Sequence, residues 1–184
     1  MNVYEKGNGV ILERVTDFDP VHIFECGQCF RWHKQEDGSY TGVAKGRILN
    51  VKKENDKIYL NNTNLKEFNS IWYNYFDLGT DYTEIKNKLK NMDEYLNKAT
   101  EFGWGIRILR QDGWEMLISF IISSNNRIPM IQRAIENLSR KFGKYIGEYE
   151  GNEYYAFPTP EELNKASQEE IRACQTGFRD KYIK

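Results

Sequence analysis

Four residues near the amino terminus of this 184-residue chain have the chemistry to hold a metal ion. His22, Cys26, Cys29 and His33 form an H-x3-C-x2-C-x3-H array, and thiolates with imidazoles are the usual ligands of zinc. The array crosses the expected end of a helix and the start of a strand. In an extended strand Cys29 and His33 lie roughly 13 Å apart, at a rise near 3.3 Å per residue. Closing both on one ion would break the strand, so no metal is expected, and Cys26 and Cys29 are read as buried or incidental thiols without redox work. Two carboxylate pairs, Glu161-Glu162 and Glu169-Glu170, sit where helices should begin. The helix dipole favours acidic groups there, so the pairs read as caps and not as acid and base. There is no glycine-rich phosphate loop, nucleophile elbow or HExxH. No cofactor is expected, and no set of residues makes a self-sufficient catalytic centre. What remains is a polar tetrapeptide, Ser123-Ser124-Asn125-Asn126, followed by a basic stretch. Between Ile121 and Ile146 stand Arg127, Arg133, Arg140, Lys141 and Lys144 against Glu136 alone, a local charge of +4 in a chain of net charge -1. Such a stripe suits phosphate contact better than the overall balance would imply.

The elements that must hold the tetrapeptide are legible on either side of it. Residues 114–122 are apolar almost all the way round, which predicts a helix buried on every side. Ile128, Ile131, Ile135, Leu138 and Phe142 follow at alternating steps of three and four, the stripe of a second helix. Upstream, Asp19-Pro20 reads as an N-cap with proline at the first helical position, and the helix 21–26 should end at Gly27. Strand-like runs at 29–34, 40–44, 47–53 and 57–60 are joined by short turns, an antiparallel meander. Thr63-Asn64 can cap a helix over 65–76 that covers one face of the sheet. Helical segments are expected at 82–89 and 92–102, then a Gly/Tyr-rich loop at 143–155, then helices starting at Thr159 and Ser167. The last is a capping box, Ser167 with Glu170.

Composition is that of an ordinary globular domain, with 40% hydrophobic and 29% charged residues and a mean hydropathy of -0.73. No apolar run reaches the ~18 residues of a membrane span. Three cysteines do not make a disulfide framework, and the amino terminus carries no signal-peptide pattern. The chain is therefore read as intracellular, with no membrane partner.

Three further runs join the tetrapeptide. They are Gly27-Gln28-Cys29-Phe30-Arg31-Trp32, Ile108-Leu109-Arg110-Gln111-Asp112 and Gly177-Phe178-Arg179-Asp180-Lys181-Tyr182. With Ser119-Phe120-Ile121-Ile122-Ser123-Ser124-Asn125-Asn126 between them, in this order and at these separations, the chain closely resembles an 8-oxoguanine DNA glycosylase/AP lyase of the helix-hairpin-helix superfamily, in a bacterial form. The resemblance covers most of the chain from Gly27 onward. It implies an α+β fold, an N-terminal antiparallel sheet with helices packed on the first part of an all-helical DNA glycosylase domain. The expected boundaries are 1–80 for the sheet domain and 81–184 for the helical one, incomplete at its C-terminal end. It implies base excision repair of 8-oxoguanine in double-stranded DNA, by a monomer in the bacterial cytoplasm.

Such an enzyme must take its base out of the stack, fill the hole and hold the orphaned partner. By resemblance, the Gly27 carbonyl accepts a hydrogen bond from N7–H of the lesion, where normal guanine has a lone pair. Asn125 occupies the vacated space and bonds the estranged cytosine, with Asn126 beside it. Phe178 is the aromatic wedge, Arg179 reads the cytosine, and Arg127 and Lys181 can meet phosphates. Better-known eukaryotic members carry a second cytosine-reading arginine at the place of Met130, so a relaxed preference for cytosine is expected. The family's hairpin, lysine nucleophile and aspartate fall beyond Lys184, and Lys144 stands in the wrong context to replace the lysine. The 184 residues alone are therefore expected to be inactive. A non-catalytic lesion-binding module and an alkylated-base glycosylase are the competing readings.

Overall fold

A computed structural model describes every residue, Met1–Lys184. Strands β1 (Asn2–Glu5) and β2 (Gly9–Glu13) precede helix α1 (Pro20–Phe24), and strands β3 (Trp32–Lys34), β4 (Tyr40–Ala44), β5 (Arg47–Glu54) and β6 (Lys57–Asn61) follow. These six make one antiparallel sheet in the order β1-β2-β6-β5-β4-β3. The meander expected from the sequence is β3 to β6. The hairpin β1–β2 adds two strands that were not expected, β2 pairing with β6 in the register Gly9↔Asn61 to Glu13↔Lys57. The Val10-Ile11-Leu12 run that makes β2 is buried throughout, whereas β1 is a mostly exposed edge.

Helix α2 (Leu65–Glu67), a widened π turn (Phe68–Trp72) and α3 (Tyr73–Tyr75) form one helical run capped by the Asn64 side chain. Then come α4 (Tyr82–Lys90) and α5 (Glu94–Phe102), capped by Asp81 and Asp93. Helices α6 (Gly113–Ser123) and α7 (Ile128–Phe142) are followed by strands β7 (Tyr145–Tyr149) and β8 (Asn152–Tyr155). The chain closes with α8 (Pro160–Lys165), α9 (Gln168–Ile171), a π turn (Arg172–Thr176), a 3-10 turn (Gly177–Arg179) and α10 (Asp180–Ile183). The segment read as a Gly/Tyr-rich loop is thus a hairpin. Glu150 and Gly151 both take positive φ (50° and 77°) at its turn, as tight hairpins with matching twist require.

Contacts group the chain into two compact units. The first comprises residues 1–28, 34–41 and 49–110; the second comprises 29–33, 42–48 and 111–184. The first unit therefore takes in α4 and α5, beyond the break expected after residue 80. Its core is aromatic: Phe18, Phe68, Trp72, Tyr75 and Phe76 are all buried. Phe18 meets Phe76 edge-on at 5.2 Å, a favoured geometry for aromatic rings, and Trp72 Nε1 donates to Thr63 Oγ1 at 2.9 Å. In the same unit Arg107 is buried and donates to Asp17 Oδ1 at 2.8 Å and to the carbonyls of Asp17 and Asp77.

The core of the second unit is aliphatic, built from Ile118 and Ile122 of α6, Ile131, Ile135 and Leu138 of α7, and Leu163, Ile171 and Ile183. Helix α6 departs from its sequence reading, since it is not buried on every side. Leu117 and Phe120 are 55% and 65% exposed, while small Ser119 is buried. Apolar character on every face tells which residues would gain from burial, but not which face finds a neighbour. Both paired carboxylates act as caps. Glu162 and Glu170 accept from the backbone amides of Thr159 and Ser167 at 2.7 and 2.9 Å, and the hydroxyl oxygens of Thr159 and Ser167 accept from the Glu162 and Glu170 amides, each at 3.2 Å. No helix is long and apolar enough to cross a membrane.

Candidate nucleic-acid interface

The polar tip between α6 and α7 is built by local hydrogen bonds first. Ser123 Oγ donates to Phe120 O at 2.8 Å, and Asn126 Nδ2 donates to Ile122 O at 3.1 Å, so both side chains fold back on the last turn of α6. Asn126 Oδ1 accepts from Arg127 N at 2.9 Å. This fixes the start of α7, whose N-cap Arg127 offers no side-chain cap of its own. Asn125, between them, takes φ 49° and projects an exposed side chain. Asparagine tolerates the left-handed region better than most residues. The tip therefore presents Asn125 and spends Asn126 on support.

Phe178 and Arg179 are brought to the same tip by a turn that requires its glycine. Gly177 has φ 61° and ψ -140°, a combination essentially closed to side chains. Phe178 is left 54% exposed, with the Arg179 guanidinium over its ring at 4.5 Å. Arg179 is itself buried and donates to Ser124 O and Asn125 O. Below the turn, fully buried Asp180 accepts from Arg172 Nε at 2.5 Å and from the Lys181 amide at 2.8 Å. The hydrogen bond from Arg172 holds its carboxyl below the usual range. Asp180 was quoted in the sequence run without a role, and its role is to fasten the turn.

Ile128, Met130 and Tyr182 are also exposed, at 51%, 39% and 61%. Of the basic stripe, Arg140 pairs with Glu136 and Glu153, and Lys141 pairs with Glu170. Arg127, Arg133 and Lys181 face solvent with no carboxylate within ion-pair distance. The unit thus carries an exposed aromatic, an exposed asparagine and uncommitted cations on one framework. That combination suits an opened duplex, whose phosphates need charge and whose unstacked bases need flat apolar surfaces.

Gly27 belongs to the first unit. Helix α1 ends at Phe24 with Glu25 as C-cap, so Gly27 lies beyond the helix and is not its immediate terminator. It is exposed, with φ +83° and open space where a Cβ would stand. The adjacent side chain pins it: Gln28 Nε2 donates to Ile23 O (2.9 Å) and Arg107 O (2.8 Å), and Gln28 Oε1 accepts from Leu109 N (3.0 Å). Gln28 is the residue that sequence reading passed over here. Its only signal was membership of the Gly27–Trp32 run. In the second unit, Arg31 of that run is buried and donates to Tyr155 O at 2.5 Å, a structural duty. The three cysteines are free, Cys29 and Cys174 buried and Cys26 exposed, and no group of three or more His, Cys, Asp or Glu is arranged to hold a metal.

Comparison with known proteins follows this geometry. Residues 10–117 match the family described as 8-oxoguanine DNA glycosylase, N-terminal domain. The chain is 28% identical over 165 residues to the N-glycosylase/DNA lyase OGG1 of Arabidopsis thaliana, covering 87% of this chain and 45% of that protein. Among solved structures, MBOgg1 in complex with a low-affinity DNA ligand is 55% identical, with a TM-score of 0.94 over 99% of this chain and 62% of that one. The Clostridium acetobutylicum 8-oxoguanine glycosylase/lyase, in complex with double-stranded DNA containing cytosine opposite 8-oxoG, is 48% identical. Its TM-score is 0.95, over 100% of this chain and 62% of that one. The chain therefore spans about half to three-fifths of the length of these relatives.

Proposed function

The chain belongs to the 8-oxoguanine DNA glycosylase family, and from that premise we propose that it recognises 8-oxoguanine in duplex DNA for base excision repair. The lesion leaves the stack, Asn125 enters the space, and Phe178 wedges beside the orphaned base. Arg127 and Lys181 meet phosphates, and Arg179 stands at the same tip. The observation that carries this reading is the joint presentation of Asn125 and Phe178, which residues 54 to 55 positions apart in sequence lock together through Arg179. Excision and strand cleavage, named for the relatives, are proposed for the protein as a whole.

Discrimination is assigned to the Gly27 carbonyl, which accepts from N7–H of the lesion and meets a lone pair on guanine. One such contact is worth about 1–3 kcal/mol, or roughly 5- to 150-fold. The unmutated chain should bind an 8-oxoguanine duplex better than its guanine counterpart. Gly27→Ala has room for its methyl group but pays about 1–2 kcal/mol for the left-handed backbone, which shifts the carbonyl. It is expected to lose most of the preference while still folding. Equal discrimination by both proteins in a titration would remove Gly27 from the site.

Met130 cannot donate a hydrogen bond, so the preference for cytosine opposite the lesion is expected to be weak. Competition between duplexes carrying each of the four bases measures it, and a strong cytosine requirement would refute the assignment. Met130→Arg should restore that requirement.

No lysine among these 184 residues is proposed as the amine of strand cleavage. Lys86 alone has the look of an activated amine, because burial pulls its pKa down to about 8. Its Nζ, though, is committed to Trp104 O and lies over the rings of Tyr82 and Trp104. An amine so enclosed cannot reach a sugar carbon. Borohydride trapping of this chain on abasic duplex should give no covalent adduct. An adduct lost in Lys86→Ala would overturn that statement.

A further inference from the structure

Met130, Arg133 and Asn137 stand three and four residues apart along α7, so they share one face of that helix. The lower end of the face is fixed by a hydrogen bond, Asn137 Nδ2 donating to Cys174 O at 3.4 Å. Cys174 lies in the π turn that leads into Gly177 and Phe178. The row therefore climbs from that turn toward the tip, with Met130, 39% exposed, at its upper end. Arg133 is exposed in the middle of it. The carboxylate best placed on the helix to neutralise Arg133 is Glu136, three residues on. Glu136 instead pairs with Arg140 Nε at 3.3 Å and approaches Arg31 Nη2 at 3.9 Å. The charge of Arg133 is left for something outside the chain.

Helical side chains lean toward the amino terminus of their helix, so the Arg133 guanidinium extends over Met130 toward the tip. It starts one turn lower, roughly 4.5 Å behind residue 130 at about 1.5 Å per residue. From there it falls short of a base that faces Asn125 and comes level with the backbone beside that base. We infer that Arg133 holds a phosphate next to the orphaned base, on the strand opposite the lesion. The inference rests on the function proposed above and adds to it an affinity that is blind to the base. Met130 offers that strand no hydrogen bond, and Arg133, one turn behind, offers it a charge. A guanidinium suits the task because its forked donors match two phosphate oxygens at once.

Each phosphate neutralised by a protein cation contributes about 0.9 to the slope of log K against log salt. Arg133→Gln is expected to reduce that slope by about 0.9 and to weaken binding roughly 8-fold near 0.1 M salt. The loss should be equal for each of the four bases opposite 8-oxoguanine. Arg133→Lys keeps the charge and should keep the slope. Lys144→Gln is the control, since that exposed lysine stands beyond the far end of α7; its slope should match that of the unmutated chain. Neutral methylphosphonates placed one at a time beside the orphaned base locate the contact. At one of them the unmutated chain should lose what Arg133→Gln loses, and the variant should lose nothing more, as two changes to one contact do. An unchanged slope in Arg133→Gln, or an equal fall in Lys144→Gln, would overturn the inference. So would a loss confined to one opposite base, or a methylphosphonate match found only on the lesion strand. If the unmutated chain binds 8-oxoguanine and guanine duplexes alike, the proposed function fails, and the slopes measured on either duplex still decide whether Arg133 holds a phosphate.

Discussion

Arg107→Met is expected to lower the unfolding free energy by about 3–5 kcal/mol, the cost of stripping one partner from a buried ion pair. The melting temperature of a chain this size should then fall by roughly 10 °C. Arg107 and Asp17 are 4% and 4% exposed, and their contact is 2.8 Å. The guanidinium also satisfies the carbonyls of Asp17 and Asp77 and stacks on Tyr82 at 4.5 Å. Methionine fills part of the volume but strips the guanidinium's donors from a buried carboxylate and from the Asp17 carbonyl, while Asp77 O keeps its bond from the Thr80 amide. Replacing both charges, Arg107→Met with Asp17→Leu, should cost less than the single change, because no ion is left uncompensated. A calorimetric or urea melt tests both. A loss below about 1 kcal/mol for the single variant would show that water reaches the site. The result bears on function, since Arg107 O also receives Gln28, the side chain that pins Gly27.

Phe178→Ala should do the opposite, leaving stability intact and removing binding. Its ring is 54% exposed and contributes little to the core, so the melting temperature should hold within about 1 °C, as for surface substitutions generally. Contacts of an aromatic ring with an unstacked base are worth about 1–3 kcal/mol, so affinity for a lesion duplex should fall by roughly 5- to 150-fold. Phe178→Leu, apolar but not flat, should sit between the two. Equal binding by all three proteins would show that no base meets residue 178. A large drop in melting temperature would instead mark the ring as structural.

Local signals in this chain were reliable. Asp19, Asn64, Thr159 and Ser167 cap the helices they were expected to cap, and the Ile128–Phe142 stripe is a helix with Ile131, Ile135 and Leu138 inward and Ile128 exposed. Those features act over three or four residues, within reach of pattern reading. The misses were of two kinds. Four strands were missed: β1, β7 and β8 are short and partly exposed, and β2 is a buried apolar run without alternation, so their pairing depends on partners and turns more than on pattern. The exposed side of α6 was misread because apolar character on every face says nothing about which faces are covered.

The amino-acid sequence by itself determined the family, through four short runs in order, and named Gly27, Asn125, Phe178 and Arg179 as the residues to examine. It also marked the extents of α6 and α7, because helix periodicity is written in adjacent residues. Only the tertiary structure showed that Arg179 donates to Ser124 O and Asn125 O, that Asp180 fastens the turn beneath it, and that Gln28 and Arg107 fix the backbone around Gly27. Those duties are hydrogen bonds between groups up to 90 positions apart, most of them to backbone carbonyls or amides. Every residue carries such groups alike, so a sequence cannot say which of them a distant side chain will find.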